Sequence, residues 1–174
     1  MKRDDLLLDW AARKMPKNAT WHDIGAGDGA VSRALKEVLP EGSYQCFDPK
    51  PGHPEVFSMQ RGLLPLEKAD FVLFNFVLHH VGVEMHVNQY INGAFSLCNK
   101  ALVIQEDYDD GKTETRRKLY THDPAGLFLS TSEWLGKLSR FCPGHTGLSC
   151  RVHPEESEDT LGYHVPRALF VVYK

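Results

Sequence analysis

Three glycines fall within five positions of the stretch WHDIGAGDGA, residues 21–30, and they suggest a ligand-binding turn. The hydrophobic residues before them predict a strand, and those after them recur at helical spacing. Glycines at such a turn allow positive φ and close approach to a ligand, while the following helix offers unpaired N–H groups. The turn is therefore predicted to bind a ligand. Gly25, Gly27 and Ala30 also satisfy the dinucleotide pattern G-x-G-x-x-G/A.

Two carboxylates bear on the choice of ligand. Asp23 precedes the first glycine by two residues, and we expect it to face the nucleotide pocket. There it would repel a pyrophosphate and attract a sulfonium or amino group. Asp48 ends the second predicted strand, about 20 residues after the turn, where a carboxylate can accept hydrogen bonds from ribose hydroxyls. Asp23 favours a cationic ligand over a dinucleotide. Asp48 is compatible with both kinds of ligand, and it could also be a simple turn residue before Pro49.

The elements that must position these residues alternate between strands and helices. Strands are predicted over 20–24, 44–47, 56–59, 71–78, 101–104, 148–152 and 168–173. This alternation indicates a parallel sheet covered on both faces. No helix separates the last two strands, so we expect an antiparallel pair joined by the polar loop 155–166. Ligands of such sheets bind beyond the carboxyl ends of the strands.

In combination, the motifs resemble those of class I S-adenosylmethionine-dependent methyltransferases. D-I-G-A-G-D-G is similar to motif I, CFDPK to the acidic motif after the second strand, and ADFVLFNFVLHHV to the fourth-strand segment. The closing segment STSEWLGKLSRF is similar to the last helix of the family. The resemblance implies an α/β fold, a Rossmann-like three-layer sandwich. Its seven-stranded, mostly parallel sheet would have the order 3-2-1-4-5-7-6, with strand 7 antiparallel, in a single domain over residues 1–174.

The resemblance also implies S-adenosyl-L-methionine as the cofactor and assigns its contacts residue by residue. The glycine turn would hold the methionine and ribose portions, Asp48 the ribose hydroxyls, and the end of the fourth strand would lie beside the methyl group. The implied cofactor-binding residues are Asp23, Gly25, Ala26, Gly27, Gly29, Asp48, Pro49, Asn75 and Phe76.

Methyl transfer from a sulfonium depends mainly on placing the acceptor in line, so it does not require a catalytic base. If the acceptor must lose a proton, the candidate catalytic residues are His79 and His80 after the fourth strand and Glu106 after the fifth. The two histidines could equally cap the strand and pack below the site. The segment 108–129, predicted as a loop, is expected to face the substrate and carries the basic cluster 116–118.

The sequence leaves the acceptor open between a small molecule and RNA. The connection PKPGHP after the second strand is too short and proline-rich for a helix, and compact viral RNA-cap methyltransferases are similar in that shortened linker. Asn75 and the segment Gln105-Glu106-Asp107 do not match the Lys-Asp-Lys-Glu tetrad of the 2′-O-ribose enzymes. Asn75 also lacks the Pro-Pro-Tyr that follows it in amino-directed base methyltransferases.

Two other classes of function stay open. A methyltransferase-like domain could keep cofactor binding and serve as a silent cofactor-binding or partner subunit. A NAD-dependent oxidoreductase would also use a glycine turn, but Asp23 and the terminal strand pair disfavour it. The formal net charge of −3 gives no general attraction to nucleic acid.

Cellular context follows from composition. The longest apolar run, 71–78, is far shorter than the roughly 20 residues that span a bilayer. Four scattered cysteines suggest no disulfide framework, which fits a reducing compartment. Together these two observations predict a cytoplasmic protein without a membrane partner. The pattern C-x2-H-x4-C-x2-H runs from Cys142 to His153, but Cys150 and His153 on one strand would point to opposite faces. We therefore predict no metal site.

Overall fold

The computed structural model describes residues 6–60, 63–65, 67–153 and 165–174. The strands are β1 Thr20–Ile24, β2 Ser43–Asp48, β3 Val56–Ser58, β4 Ala69–Asn75, β5 Cys98–Asp107, β6 Gly147–His153 and β7 Arg167–Tyr173. The helices are α1 Leu6–Lys14, α2 Ala30–Val38, α3 Glu84–Leu97, α4 Thr113–His122 and α5 Thr131–Phe141.

All seven strands form one sheet of order β3-β2-β1-β4-β5-β7-β6. The pairs from β3 through β5 are parallel, whereas β7 runs antiparallel to both β5 and β6. The predicted strand order and the antiparallel seventh strand are confirmed. The connection predicted over 155–166 lies outside the described residues up to 164.

Alternating side chains of the central strands face two separate hydrophobic cores. Phe71 and Leu73 of β4 cluster with residues of α1 and α2, whereas Val72 and Phe74 cluster with residues of α3 and α5. A strand buried on both faces needs a nearly continuous apolar sequence, which explains the run that begins at Phe71. The three-layer sandwich is therefore confirmed.

The fourth strand ends earlier than predicted. β4 stops at Asn75, Phe76 takes a φ of 57°, and a short 3-10 turn covers Leu78–Val81. The apolar sequence continues to Leu78, but the backbone N–H groups of residues 76–78 form hydrogen bonds with residues at the end of β5. The N–H of Phe76 donates to the Gln105 carbonyl at 2.8 Å, and the N–H groups of Val77 and Leu78 donate to Glu106 Oε1 at 2.9 and 2.6 Å. The prediction of a strand as far as Leu78 is wrong.

The segment predicted as a loop over 108–129 contains α4. This helix buries only Thr115 and Leu119, so its apolar periodicity is too weak to predict from sequence. By contrast, the proline-rich connection from β2 to β3 contains no helix, as predicted, and the Gly52 N–H donates to the Gly27 carbonyl at 2.9 Å. None of the described helices has the length and apolarity to cross a membrane.

Candidate functional site

The glycine turn joins β1 to α2 with its backbone in the left-handed region. Gly25, Gly27 and Gly29 have φ angles of 76°, 58° and 78°. A Cβ atom on Gly25 would come within 2.5 Å of Val77 Cγ1, whereas one on Gly27 would meet nothing within 4 Å. Gly25 is thus packed against the segment after β4, and Gly27 faces open space that a ligand can approach.

The other predicted residues of the turn shape its backbone. The Gly29 N–H donates to the Ala26 carbonyl at 2.8 Å, and Gly29 is the N-cap of α2. The N–H groups of Gly25 and Ala26 both donate to the Phe47 carbonyl of β2, at 2.7 and 3.1 Å. These bonds hold the turn against the carboxyl end of β2.

Asp48 connects the turn to the next loop. Its Oδ2 accepts the Gly27 N–H at 2.9 Å, and its Oδ1 accepts the Lys50 N–H at 2.7 Å. Each carboxylate oxygen can accept more than one hydrogen bond, so both retain acceptor capacity. The side chain is therefore oriented by the backbone and still able to bind a hydroxyl pair.

A cavity of about 990 Å³ lies at the carboxyl ends of these strands. Its walls come from the ends of β1, β2 and β4, the 3-10 turn and the first turns of α3. The predicted site residues that line it are Gly25, Asp48, Pro49, Phe76 and His80. The wall contributed by α3, which includes His86, Gln89 and Tyr90, was not predicted from the sequence. The one feature of the sequence that could have indicated this wall is the position of α3 directly after the fourth strand.

Asp23 belongs to β1, and its side chain contacts α2 and does not line the cavity. Its side chain is buried, and its Oδ2 accepts the Ser32 hydroxyl at 2.8 Å, while the Ser32 oxygen accepts the Trp21 indole N–H at 3.0 Å. Burial raises the pKa of Asp23 to about 6, against the lowering effect of the Ser32 hydrogen bond. The expectation that this carboxylate faces the pocket is corrected, because Ser32 draws it into the core.

Asn75 also does not line the cavity. Its Oδ1 accepts the Gln105 side-chain amide at 2.9 Å, and Gln105 Oε1 accepts the Leu7 N–H at the start of α1, also at 2.9 Å. Asn75 therefore links β4 to β5 and α1. Whether it also contacts a cofactor stays a prediction.

Phe76 lines the cavity from a strained backbone position. Among the described residues it is the one non-glycine with positive φ, and such outliers concentrate at functional sites. The Arg167 guanidinium lies 5.0 Å from the centre of its ring, and Arg167 Nε donates to Asp107 Oδ1 at 3.3 Å. Stacking of this cation holds the ring in place.

His79 of the 3-10 turn and Glu106 of β5 form a buried pair. His79 Nδ1 lies 2.5 Å from Glu106 Oε2, and Glu106 is fully buried. Burial acts to lower the pKa of His79, but the hydrogen bond and charge of Glu106 outweigh it, so the pKa is raised overall. Neither residue lines the cavity. Because Glu106 also accepts the N–H groups of Val77 and Leu78, the pair fixes the turn that carries His80.

His80 is the predicted catalytic residue that reaches the cavity wall. Its Nδ1 lies 2.8 Å from Oδ2 of Asp123, and the two side chains are 59% and 18% exposed. Asp123 is the C-cap of α4, where its N–H donates to the Leu119 carbonyl at 2.9 Å. Asp123 was not predicted as a site residue, because the helix that precedes it was not predicted either.

One cluster of potential metal ligands exists within the described part of the chain. His79, His80 and Asp123 each offer a ligand atom within 4.8 Å of the others. The spaced Cys and His residues at 142, 145, 150 and 153 form no such cluster there. Burial raises the pKa of Cys142 to about 12, so its thiol is held protonated.

Comparison with known family models and with curated protein sequences gives no match. A S-adenosylmethionine-dependent methyltransferase from Methanosarcina mazei superposes with a TM-score of 0.70 at 18% identity, covering 92% of this chain and 94% of that one. Human N-acetylserotonin methyltransferase, solved with S-adenosylmethionine, gives 0.70 at 15% identity over 97% of this chain and 51% of that one. Magnesium protoporphyrin IX methyltransferase from Synechocystis, solved with S-adenosylhomocysteine, gives 0.68 at 15% over 97% and 80%.

The strand order and these superpositions define the architecture. The chain has the fold of the class I, Rossmann-like S-adenosylmethionine-dependent methyltransferases. It spans about half the length of the human enzyme and nearly the whole length of the archaeal one.

Proposed function

We propose that this chain is a S-adenosylmethionine-dependent methyltransferase. The observation that carries the proposal is the meeting of an open glycine turn with Asp48 at the edge of one large cavity, in a class I methyltransferase fold. The residues fit the cofactor, since Gly27 leaves space for close backbone approach and the carboxylate of Asp48 retains acceptor capacity.

Each predicted cofactor residue has a distinct task in this proposal. Asp48 accepts hydrogen bonds from the ribose hydroxyls, and Gly25, Ala26, Gly27 and Gly29 provide the backbone surface. Pro49 and Phe76 contribute apolar wall, while Asp23 and Asn75 support the site from behind through Ser32 and Gln105. S-adenosylmethionine supplies a methyl group already activated on its sulfonium, so most of the acceleration comes from placing the acceptor in line.

His80 is the candidate to receive a proton from the acceptor. It lines the cavity, and Asp123 holds its Nδ1. A carboxylate at Nδ1 keeps the proton on that nitrogen and leaves Nε2 as the base. His79 and Glu106 act as positioning residues, because Glu106 contacts the His79 ring and accepts the Leu78 N–H, and these contacts fix the 3-10 turn that carries His80.

A small molecule is the acceptor class that the site favours over RNA. The cavity is at the upper end of the roughly 300–1,000 Å³ range of small-molecule sites, which leaves room for an acceptor beside the cofactor. In the basic cluster, Arg116 pairs with Asp109 and Lys118 with Glu114, which reduces their attraction for phosphates. N-acetylserotonin and magnesium protoporphyrin IX, which appear in the names of two matched enzymes, are small molecules.

Calorimetry with S-adenosylmethionine, S-adenosylhomocysteine and NAD⁺ tests the cofactor. We expect the two sulfur compounds to bind with one site per chain and NAD⁺ to give no heat of binding. Tight binding of NAD⁺ alone would replace this proposal with the oxidoreductase alternative.

Transfer of labelled methyl groups to metabolite, RNA and protein pools tests turnover. We expect the label in the metabolite pool. Label in the RNA pool would instead show that the acceptor is RNA. Binding of S-adenosylhomocysteine without transfer to any pool would instead support a silent cofactor-binding subunit.

A further inference from the structure

The cluster of His79, His80 and Asp123 combines ligands from two separate elements at the rim of the cavity. The histidines belong to the 3-10 turn, and Asp123 ends α4, 43 residues after His80. One ligand atom of each lies within 4.8 Å of the other two. Two imidazoles and one carboxylate are a common ligand set for zinc and other divalent transition metals.

Glu106 supplies a second, independent feature of metal sites. Metal-binding histidines generally donate their second ring nitrogen to a carboxylate, which orients the ring and strengthens it as a ligand. Glu106 holds Nδ1 of His79 in this way at 2.5 Å, which leaves Nε2 for a metal. Its other oxygen binds the backbone of Val77 and Leu78, so the carboxylate itself is rigidly placed.

The cluster is also preorganised and open to entry. The His79 carbonyl accepts the Leu127 N–H at 2.9 Å, and Asp123 Oδ1 accepts the Ala125 N–H at 3.2 Å, so the backbone around both elements is tied down. The side chain of His80 is 59% exposed on the cavity side. The carboxylates of Glu106 and Asp123 flank the cluster and favour a cation there.

We propose that His79, His80 and Asp123 form a binding site for one divalent transition-metal ion of the zinc, cobalt or nickel type. Three protein ligands leave a fourth tetrahedral position open, and His80 places it at the cavity. A metal held by both His80 and Asp123 would bind Nδ1 of His80 and leave the ring proton on Nε2. Nε2 could then not accept a proton, so metal binding and base catalysis exclude one another at this residue. The inference concerns the chain without donor or acceptor and does not rest on the proposed function.

Titration of the metal-free full chain with Co²⁺ tests the site, followed by displacement with Zn²⁺. We expect visible absorption of tetrahedral Co²⁺ that saturates at one equivalent, is lost on addition of Zn²⁺ and is unaffected by Mg²⁺, which prefers oxygen ligands. His80→Ala and Asp123→Asn should each lower the affinity at least about tenfold. Asn at position 123 keeps the oxygen that accepts the Ala125 N–H, so this variant should fold.

Two further variants separate this site from general histidine binding. Glu106→Gln should lower the affinity roughly 10- to 100-fold, as expected for loss of an outer carboxylate. His86→Ala removes an exposed histidine of the same cavity wall and should leave the affinity unchanged. The proposal is overturned if no Co²⁺ band saturates at one equivalent. It is also overturned if His80→Ala and Asp123→Asn, shown to be folded by circular dichroism, bind Co²⁺ as tightly as the natural sequence.

Discussion

The Asp48 carboxylate is the side chain on which the proposed donor site depends most. Its two oxygens accept the N–H groups of Gly27 and Lys50, and the residue lines the cavity. Asp48→Ala should weaken binding of S-adenosylhomocysteine by about 2 kcal/mol or more, since hydrogen bonds to a charged group are lost. Isothermal titration calorimetry measures this loss. Glu55→Ala removes an equal charge from the exposed loop before β3 and should bind normally; equal losses would show that Asp48 does not hold the ribose.

His80 carries the prediction for proton transfer. If the acceptor loses a proton during transfer, His80→Ala should lower kcat about 100-fold or more, with little change in affinity for S-adenosylhomocysteine. His53→Ala, in the exposed loop after β2, is the matched control and should keep full activity. An unchanged kcat in His80→Ala would mean that the acceptor is attacked without help from this base, so steady-state kinetics with an identified acceptor decides the point.

Asp23 predicts a pH dependence of stability. Its pKa in the fold is about 6, above the value of about 3.9 for an unfolded aspartate, so its contribution is fully present below about pH 4. That contribution is lost as the pH rises through about 6, because a charge must then form in the core. Asp23→Asn keeps an acceptor for Ser32 and should exceed the natural chain in free energy of unfolding at pH 8, by on the order of 2 to 3 kcal/mol.

Urea denaturation at pH 4.5 and pH 8 measures the difference for Asp23→Asn. The advantage of the variant should shrink strongly at the lower pH. Glu41→Gln, at an exposed position after α2, should show little change with pH. A variant less stable than the natural chain at both pH values would mean that the ionised carboxylate is itself stabilising.

At the scale of the element, the glycine turn makes different demands at two positions. Gly25→Ala would place a methyl group within 2.5 Å of Val77 Cγ1 at a φ of 76°. Gly27→Ala enters open space and meets only the left-handed backbone cost of about 1 to 2 kcal/mol. Gly25→Ala should therefore reduce the free energy of unfolding by clearly more, as measured by chemical denaturation. Equal destabilisation of the two variants would show that the Val77 side chain can move aside at no cost in stability.

For the whole molecule, ligand binding should appear as added stability. At a concentration of 100 Kd, S-adenosylhomocysteine should raise the free energy of unfolding by about 2.7 kcal/mol. For a chain of 174 residues this corresponds to a rise in Tm of roughly 5 to 10 °C in a thermal scan. NAD⁺ at the same concentration should leave Tm unchanged, and a shift with NAD⁺ alone would contradict the donor assignment.

The sequence by itself determined the order of the strands, the order of the helices other than α4, and the position of the donor turn. Those features depend on local signals: the nearly continuous apolar run that begins at Phe71 and the glycines from Gly25 to Gly29. The antiparallel final pair followed in the same way, because no helical pattern separates its strands. Asp48 could be placed at the cavity because it ends a parallel strand.

Only the tertiary structure decided where the polar side chains point and which of them meet. Asp23 accepts a hydrogen bond from Ser32 in the core, Asn75 accepts one from Gln105, and Glu106 ends β4 early by binding the backbone of the next turn. Asp123 reaches His80 from 43 residues away, by way of a helix with little apolar periodicity. Such contacts join residues distant in the chain, so no local pattern encodes them, and the fate of each carboxylate depends on the partner that packing brings to it.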